Sequence, residues 1–257
     1  MTSYTFMSCN IRYQTPNDGP QQFNNRVGFI CETLLQLEPD VIGFQELHAE
    51  MRKKLIAGMP GYGFLGAGRG RDRLGEASVI AYRQDRLMPE RLISDMLSNA
   101  PHIPGTTYGG DQSACPRIFS SADFMPIDGG KPFRFMNVHT DHLGQNARYL
   151  AGMQLLQSLS AQNALRPMPT VITGDFNARP EAPEMAPFAD YPGLIDATAA
   201  LPPTFHAFDR PGKAVKIDYI FVTDDWQNVQ ARLLHPKRGI LCFSDHDPVL
   251  VRAELEE

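Results

Sequence analysis

Several acids, amides and histidines in this chain stand next to short apolar runs, where strands begin or end. The clearest case is Asp175 and Asn177, which follow the β-branched run 170–173. A strand places residues two apart on the same side of its pleat, so we expect both side chains to face one site. There a carboxylate can accept a proton from water, and an amide can donate a hydrogen bond to an oxyanion.

The same placement recurs along the whole chain. The polar residues at predicted strand ends are Asn10, Glu46, Glu76, His139, Asp175, Asn177, Asp218, Asp245 and His246. Taken singly, a strand-end Asn or Asp is usually a turn residue, and a lone Glu or His is usually solvated or structural. The joint pattern is much more specific than its members, and it indicates one site built from many strand ends.

The elements that would position these residues alternate between strand and helix. Apolar and alternating runs predict strands over 4–11, 41–44, 77–82, 133–138, 170–173, 217–222 and 248–251. Helical spacing predicts helices over 25–37, capped by Asn24 or Asn25, and over 146–160. This alternation favours a layered α/β fold. Two long irregular regions, 58–75 and 94–116, are expected to be functional loops or mobile surface.

Bulk properties narrow the class of protein. The 257 residues fit one large domain or two small ones, and 42% hydrophobic residues suffice for a substantial core. A net charge of -5 argues against a dedicated non-specific DNA binder, but it is compatible with small phosphorylated substrates. Four cysteines without paired or metal-type spacing, and no leader or apolar span, predict a cytoplasmic protein without a membrane partner.

The ordered segments resemble the endonuclease/exonuclease/phosphatase superfamily, which includes pancreatic deoxyribonuclease, exonuclease III-type enzymes and CCR4-type deadenylases. The segments that carry the resemblance are 7–10, 39–46, 137–139, 174–177, 217–221 and 244–248. Residues 10–13, Asp18-Gly19 and 139–142 are most similar to a bacterial branch. The resemblance implies a four-layer α/β sandwich, with two central mixed β-sheets flanked by helices. It also implies a single catalytic domain over residues 1–257.

The resemblance also implies Mg²⁺ or Mn²⁺ and a role for each strand-end residue. Glu46, Asn10 and Asp245 match the metal-site residues, and a hard cation prefers such oxygen ligands. Asp175 would deprotonate or orient the attacking water, and Asn177 would bind a phosphate oxygen. His246, held by Asp218, would be the main catalytic histidine, either as a cation or as a base.

A second set of residues is expected beside the first. Glu76 matches the partner carboxylate of His139, which predicts a second dyad that also binds substrate. Arg117 matches an arginine that points toward the phosphate. Asp141 and His142 are either supports of the site or a feature specific to the branch. The remaining histidines fit no pattern and are expected at surface or structural positions: His48, His102, His206 and His235.

The leading functional interpretation is divalent-metal-dependent hydrolysis of a phosphate ester by a metal-activated water and a His–Asp dyad. A phosphodiesterase acting on a small molecule is favoured. The first alternative is a DNA or RNA nuclease, for which the cluster Arg69, Arg71 and Arg73 is the one basic feature found. The second is a non-catalytic binding domain on the same fold. Side chains expected to select the substrate are Tyr13, Tyr108, Phe205 and Phe243.

Overall fold

The computed structural model describes residues 1–256, which form two six-stranded β-sheets, a two-stranded sheet and helices. The strands are β1 (Thr2–Asn10), β2 (Val41–Leu47), β3 (Tyr62–Leu65), β4 (Ala77–Arg83), β5 (Leu87–Met96), β6 (Ile118–Pro126), β7 (Phe133–His139), β8 (Thr170–Asp175), β9 (Leu194–Asp196), β10 (Asp218–Thr223), β11 (Gln227–Leu233), β12 (Lys237–Arg238), β13 (Leu241–Cys242) and β14 (Val249–Leu255). The helices are α1 (Phe23–Leu37), α2 (Ala49–Gly58), α3 (Gln145–Leu165) and α4 (Ala186–Ala189), with 3-10 turns at Pro16–Gln21 and Pro183–Met185.

The topology of the two large sheets brings particular strand ends together. One sheet has the order β11-β14-β1-β2-β4-β3, and the other has the order β5-β6-β7-β8-β10-β9. Each contains one parallel pair, β1–β2 and β7–β8, and its other pairs are antiparallel. The carboxyl ends of β1, β2, β7 and β8 therefore lie at the same rim as the amino ends of β4, β10 and β14.

Apolar side chains fill three layers, one between the sheets and one on the outer face of each. Phe6, Phe133 and Trp226 pack edge to face between the sheets. Helices α1 and α2 cover the first sheet, whereas α3 and α4 cover the second. The predicted four-layer α/β sandwich with two mixed sheets is confirmed.

A buried polar contact joins the two sheets just below the rim. The Gln45 Nε2 donates to Asn137 Oδ1 at 2.7 Å, and the Asn137 Nδ2 donates to the carbonyl of Phe44 at 2.8 Å. At Gly43 the sheets approach so closely that a Cβ would lie 2.2 Å from Thr173 Oγ1. Only glycine fits there, and these contacts fix how one half of the rim faces the other.

The start of α1 differs from the sequence expectation. The helix begins at Phe23, so Asn24 and Asn25 lie inside its first turn and the predicted cap was wrong. Gln22 occupies the cap position, but its side chain does not accept a hydrogen bond from the helix backbone. Instead, Gln14 from the preceding loop accepts a hydrogen bond from the Asn24 N–H at 2.9 Å. A distant side chain thus satisfies a helix-end donor that a local cap usually satisfies.

The two regions expected to be irregular are shorter than predicted. Strand β3 lies within 58–75, and β5 extends to Met96. Strand β5 is at the edge of its sheet and is interrupted by a bulge between Pro89 and Arg91, so its sequence lacks clean alternation. No helix within residues 1–256 is long and apolar enough to cross a membrane.

Candidate active site

The rim receives its functional side chains from strand termini of both sheets. Asn10, His139 and Asp175 are the last residues of β1, β7 and β8. Asp218 is the first residue of β10, and Glu76 directly precedes β4. The register pairs Asp175 with His139 on one side and with Asp218 on the other. Asp175 therefore lies between His139 and Asp218 at the rim of the second sheet.

Glu46 reaches the rim by an irregularity that the sequence did not indicate. Strand β2 was expected to end before it, but it continues to Leu47. The pairing of β2 with β4 shifts between Phe44 and Leu47, and Glu46 has a left-handed φ of 60°. Such a bulge re-aims a side chain out of the regular pleat. Here it turns Glu46 toward the cavity, where Oε2 accepts the Tyr13 N–H at 2.8 Å.

Asp175 and Asn177 do not share one side of the pleat, so that expectation was wrong. Strand β8 ends at Asp175, and Asn177 lies in a turn with a φ of 48°. The Asp175 Oδ1 accepts the Asn177 N–H at 2.9 Å, which closes this turn. The Asn177 Nδ2 donates to the carbonyl of Thr140 at 3.3 Å. Both side chains nevertheless line the same cavity.

Two histidine–carboxylate dyads converge on Asp175 from opposite sides. The Nδ1 of His139 is 2.9 Å from Glu76 Oε1, and the Nδ1 of His246 is 2.9 Å from Asp218 Oδ2. Each carboxylate holds its histidine with the other ring nitrogen turned to the centre. Both Nε2 atoms lie 3.7 Å from Asp175 Oδ2. A distance of 3.7 Å is too long for a direct hydrogen bond. An oxygen atom of a water or a ligand could therefore bridge Asp175 and the two histidines.

The electrostatics of the two dyads follow from burial and charge. Burial opposes the charged form of His246, but Asp218 and Asp175 outweigh it and raise its pKa well above the usual value. Burial likewise opposes ionisation of Glu76. The hydrogen bond and charge of His139, together with Arg69, lower the pKa of Glu76 to about 2. At neutral pH these shifts favour an imidazolium at 246 and a carboxylate at 76.

A concentration of negative charge lies beside the dyads. Burial and the nearby charge of Asp245 raise the pKa of Glu46, and the charge of His139 offsets this only in part. Asp245 is 3.8 Å from Arg12 Nε, which is itself bound to Asp18 at 2.9 Å. The half-buried Glu46 and the buried Asp245 form an acidic pair, and carboxylate oxygens of this kind suit a hard divalent cation.

Asn10 lies behind these carboxylates. Its Nδ2 donates to Asp175 Oδ2 at 2.9 Å and to Glu46 Oε1 at 3.3 Å. Its Oδ1 accepts the Arg12 N–H at 3.0 Å. Asn10 therefore orients two carboxylates, and its role as a metal ligand stays a prediction.

Arg117, Asp141 and His142 form a connected group on the Glu76 side of the cavity. The Arg117 Nη2 lies 2.8 Å from His142 Nδ1, and its Nη1 lies 3.9 Å from Glu76 Oε1. Asp141 accepts hydrogen bonds from Ser113 and from Arg117 Nε, the latter at 3.4 Å. Of the two alternatives for Asp141, the geometry favours a support that holds Arg117. His142 lines the cavity itself.

The site opens into a cavity of about 910 Å³, which Glu46, Glu76, His139, Asp175 and His246 line. Among the described residues, the arginines that line it are Arg12, Arg69, Arg117, Arg179 and Arg210. The Arg69 Nη2 is 2.9 Å from Glu76 Oε2, and its Nη1 is buried without a hydrogen-bond partner in the described chain. Sequence reasoning treated Arg69 as part of a loop cluster and gave His48 no site role. Both face the cavity, and only the fold of the 58–75 region reveals it.

The four side chains expected to select a substrate divide into two pairs. Tyr13 and Phe205 line the cavity. Phe243 is buried in the core beneath α1, where it packs on Phe29. Tyr108 packs on the outer side of the second sheet. The expectation was therefore wrong for Phe243 and Tyr108, because their aromatic rings contribute to packing rather than to the cavity.

The sequence and the fold are both similar to those of known proteins. A family model described as the Endonuclease/Exonuclease/phosphatase family matches residues 7–246. The chain belongs to this family. It is similar to a family member from Bacteroides vulgatus, with 30% identity, complete coverage of both chains and a TM-score of 0.92. It is also similar to the Bacteroides thetaiotaomicron mannosyl-6-phosphatase, with 27% identity, 98% coverage of this chain, 100% of that chain and a TM-score of 0.86.

Part of the chain is also similar to a viral protein. An uncharacterized protein of Acanthamoeba polyphaga mimivirus is 26% identical over 166 residues. The match covers 61% of this chain and 59% of that relative's length.

Proposed function

We propose that this chain is a divalent-metal-dependent hydrolase of small phosphate esters. The observation that carries the proposal is the convergence of two histidine–carboxylate dyads on Asp175, next to the acidic pair Glu46 and Asp245. Hydrolysis of a phosphate ester needs a positioned water, neutralised phosphate oxygens and a stabilised leaving oxygen. Each need has a candidate group in this one cavity.

In this proposal, Asp175 orients and deprotonates the attacking water. Its carboxylate is fixed by Asn10 Nδ2 at 2.9 Å and by the Asn177 N–H at 2.9 Å. These two bonds leave the side chain little freedom, so its oxygens are preorganised toward the cavity. Asn177 has a second amide hydrogen for a phosphate oxygen, because its Nδ2 uses one for Thr140.

The two histidines would bind the phosphoryl oxygens through Nε2. Because Asp218 and Glu76 occupy the Nδ1 atoms, the Nε2 positions face the cavity. A raised pKa keeps His246 protonated at neutral pH, which favours the cationic role over that of a base. Arg117, held by Asp141, adds positive charge on the His139 side.

Glu46 and Asp245 would hold Mg²⁺ or Mn²⁺. When bound, such an ion neutralises charge on the phosphate and on the departing oxygen. The donor set of carboxylates is the kind that hard divalent ions prefer. Asn10, which contacts Glu46 at 3.3 Å, would keep that carboxylate in place or contribute an oxygen.

A small ester suits the cavity better than a nucleic acid duplex. A volume of about 910 Å³ lies within the usual range of small-molecule sites. Of the three clustered arginines, Arg69 is ion-paired to Glu76 inside the cavity, and Arg73 donates to the carbonyl of Ser94 at 3.1 Å. The cluster therefore offers no continuous basic surface for a phosphate backbone, and the nuclease alternative is less favoured.

Both diesters and monoesters are candidates. The diester was favoured by the sequence, and the mannosyl-6-phosphatase relative favours a monoester. A monoester dianion also needs more positive charge, which the unpartnered Nη1 of Arg69 can supply. The test is hydrolysis of bis-p-nitrophenyl phosphate and p-nitrophenyl phosphate, side by side, with Mg²⁺, Mn²⁺ or EDTA.

The decisive comparison uses two matched variants, Asp175→Asn in the cavity and Asp190→Asn on the exposed surface. Asp175→Asn should lower turnover about 10²–10⁴-fold, because it removes the group proposed to accept the proton. Asp190→Asn should behave as the wild type. If Asp175→Asn retains metal-dependent cleavage, the role assigned to Asp175 is refuted. If the wild type hydrolyses no ester in a broad panel, the proposed function is refuted.

A further inference from the structure

A second group of ligand-type side chains lies outside the cavity. His206, Asp209 and His235 each place one ligand atom within 4.8 Å of the others. The distance from Asp209 Oδ1 is 3.3 Å to His206 Nδ1 and 3.5 Å to His235 Nε2. A fourth residue, Asp247, touches both histidines through Oδ1, at 2.7 Å from His235 Nδ1 and 3.3 Å from His206 Nε2. None of these residues belongs to the proposed catalytic set.

The contacts of Asp247 fix which ring nitrogens carry lone pairs toward Asp209. In the neutral form of His235, a hydrogen on Nδ1 that is donated to Asp247 leaves Nε2 as the unprotonated atom. His206 Nδ1 accepts the Asp209 N–H at 3.0 Å, so it too is unprotonated and its Nε2 carries the hydrogen toward Asp247. A carboxylate that holds the far nitrogen of a histidine is the usual outer partner of a metal-bound imidazole.

The spacing matches a tetrahedral ion. With metal–ligand bonds of about 2.0–2.1 Å, neighbouring ligands of a tetrahedral Zn²⁺ site lie about 3.4 Å apart. The two measured ligand separations, 3.3 Å and 3.5 Å, agree with that value. They are also longer than a good hydrogen bond between these atoms would be. An ion at this point would replace the Asp209 N–H as the partner of His206 Nδ1.

Further contacts surround the proposed ligands. The His206 Nε2 is buried and lies 3.3 Å from Asp247 Oδ1, without a well-formed hydrogen bond within the described chain. Cys242 Sγ lies 3.4 Å from Asp209 Oδ2, which adds a soft atom at the edge of the cluster. Lys237 binds the same Oδ2 from an exposed position, and Oδ1 stays directed at the histidines.

We propose that His206, Asp209 and His235 form a second metal site, of the Zn²⁺ type, with Asp247 as its orienting carboxylate. Imidazole ligands favour Zn²⁺ over Mg²⁺, so this site and the acidic pair in the cavity would select different ions. The site lies directly behind the loop that carries Asp245 and His246.

Backbone bonds connect the metal site to that catalytic loop. The N–H groups of His206 and Ala207 donate to the Asp245 carbonyl at 2.9 Å and 3.1 Å. The Asp247 N–H donates to the carbonyl of Thr204 at 2.7 Å. An ion that joins residues 206 and 209 to His235 would therefore restrain the segment that positions Asp245 and His246.

The test is uptake of Zn²⁺ by chelator-treated protein in the presence of excess Mg²⁺, measured by calorimetry and, with Co²⁺, by visible absorption. Wild type should bind one more equivalent of Zn²⁺ than His235→Ala or Asp209→Asn. Both substitutions are at partly exposed side chains, which limits the risk of misfolding. Asp247→Asn should weaken Zn²⁺ binding about 10–100-fold. Bound Zn²⁺ should raise the melting temperature of wild type and not of His235→Ala.

The matched control is His102→Ala, which removes an exposed histidine whose contact is a single carboxylate, Asp95, at 3.1 Å. It should retain the full Zn²⁺ stoichiometry. Equal Zn²⁺ uptake by wild type, His235→Ala and Asp209→Asn would overturn the proposal, as would absence of Zn²⁺ uptake by wild type. These readouts do not involve phosphate ester hydrolysis, so their result is independent of the proposed catalytic function.

Discussion

The support of Arg117 by Asp141 gives a quantitative test of the site's construction. Asp141 is 1% exposed. Its Oδ1 accepts three backbone N–H groups, from Ser113, Leu143 and Gly144, at 3.1, 3.0 and 2.8 Å. Its Oδ2 accepts the Ser113 hydroxyl and the Arg117 Nε–H. Asp141→Asn should keep the three backbone bonds on Oδ1, but it puts an NH₂ group where Oδ2 accepts two donors.

The expected loss of stability follows from those contacts. Hydrogen bonds to a charged group contribute about 1.5–3 kcal/mol each. The Ser113 hydroxyl can turn and accept from the new amide, so one charge-assisted bond is lost and three are weakened. We expect Asp141→Asn to lower the free energy of unfolding by about 2–4 kcal/mol. For a domain of this size that corresponds to a drop in melting temperature of about 4–16 °C.

The pH dependence has a definite sign. Burial opposes ionisation of Asp141, but the N–H of Gly144 and the hydroxyl and N–H of Ser113 outweigh it and hold its pKa well below the usual range. A carboxyl with a depressed folded pKa stabilises the protein above its unfolded pKa of about 3.9, and this is lost as pH falls through the folded pKa. The difference between wild type and Asp141→Asn should be full at pH 7 and should shrink below about pH 4.

Thermal and urea unfolding from pH 3 to pH 7 measure this difference, with Asp190→Asn as an exposed control that should change little. A melting temperature of Asp141→Asn within about 2 °C of wild type at pH 7 would refute the reasoning. So would a difference that grows as the pH falls.

Three other changes test separate parts of the account. Gly43→Ala should lower the free energy of unfolding by about 1–3 kcal/mol in urea titrations, since its Cβ would lie 2.2 Å from Thr173 Oγ1; an unchanged midpoint would contradict the close packing of the sheets. Glu76→Gln should lower kcat about tenfold or more while Glu90→Gln does not, because only Glu76 holds His139; equal kinetics would remove the second dyad from the mechanism. Arg69→Gln should lower kcat/KM about 10–100-fold on phosphate esters, and an unchanged value would show that its free Nη1 does not bind substrate.

The sequence predicts the parts of the fold that obey regular periodicity. The β-branched run before Asp175 and the alternation before His139 identify two strands, which the structure extends by two residues and one residue to Asp175 and His139. Because parallel neighbours end at one rim, the meeting of Asn10, His139 and Asp175 could be anticipated from three separate runs. Strand β5 was missed since an edge strand needs no buried alternation on both faces.

Features that break periodicity could not be predicted in the same way. The bulge that turns Glu46 and the left-handed turn at Asn177 each depend on one residue's φ, which tertiary contacts select. Arg69 and His48 join the site through loop conformation, for which composition gives no distance information. The contacts of Asp141 come from residues 28 and 24 positions earlier and 2–3 positions later, and only the folded chain brings the earlier ones near.

The dependence of hydrolysis on metal at Glu46 tests the central claim most directly. Initial rates on the better p-nitrophenyl ester would be measured against Mn²⁺ concentration for wild type and Glu46→Gln, each first treated with EDTA. The account predicts that EDTA abolishes hydrolysis by wild type, that Mn²⁺ restores it saturably, and that Glu46→Gln needs at least about tenfold more Mn²⁺. Hydrolysis that persists in EDTA, or the same Mn²⁺ dependence in both proteins, would contradict it.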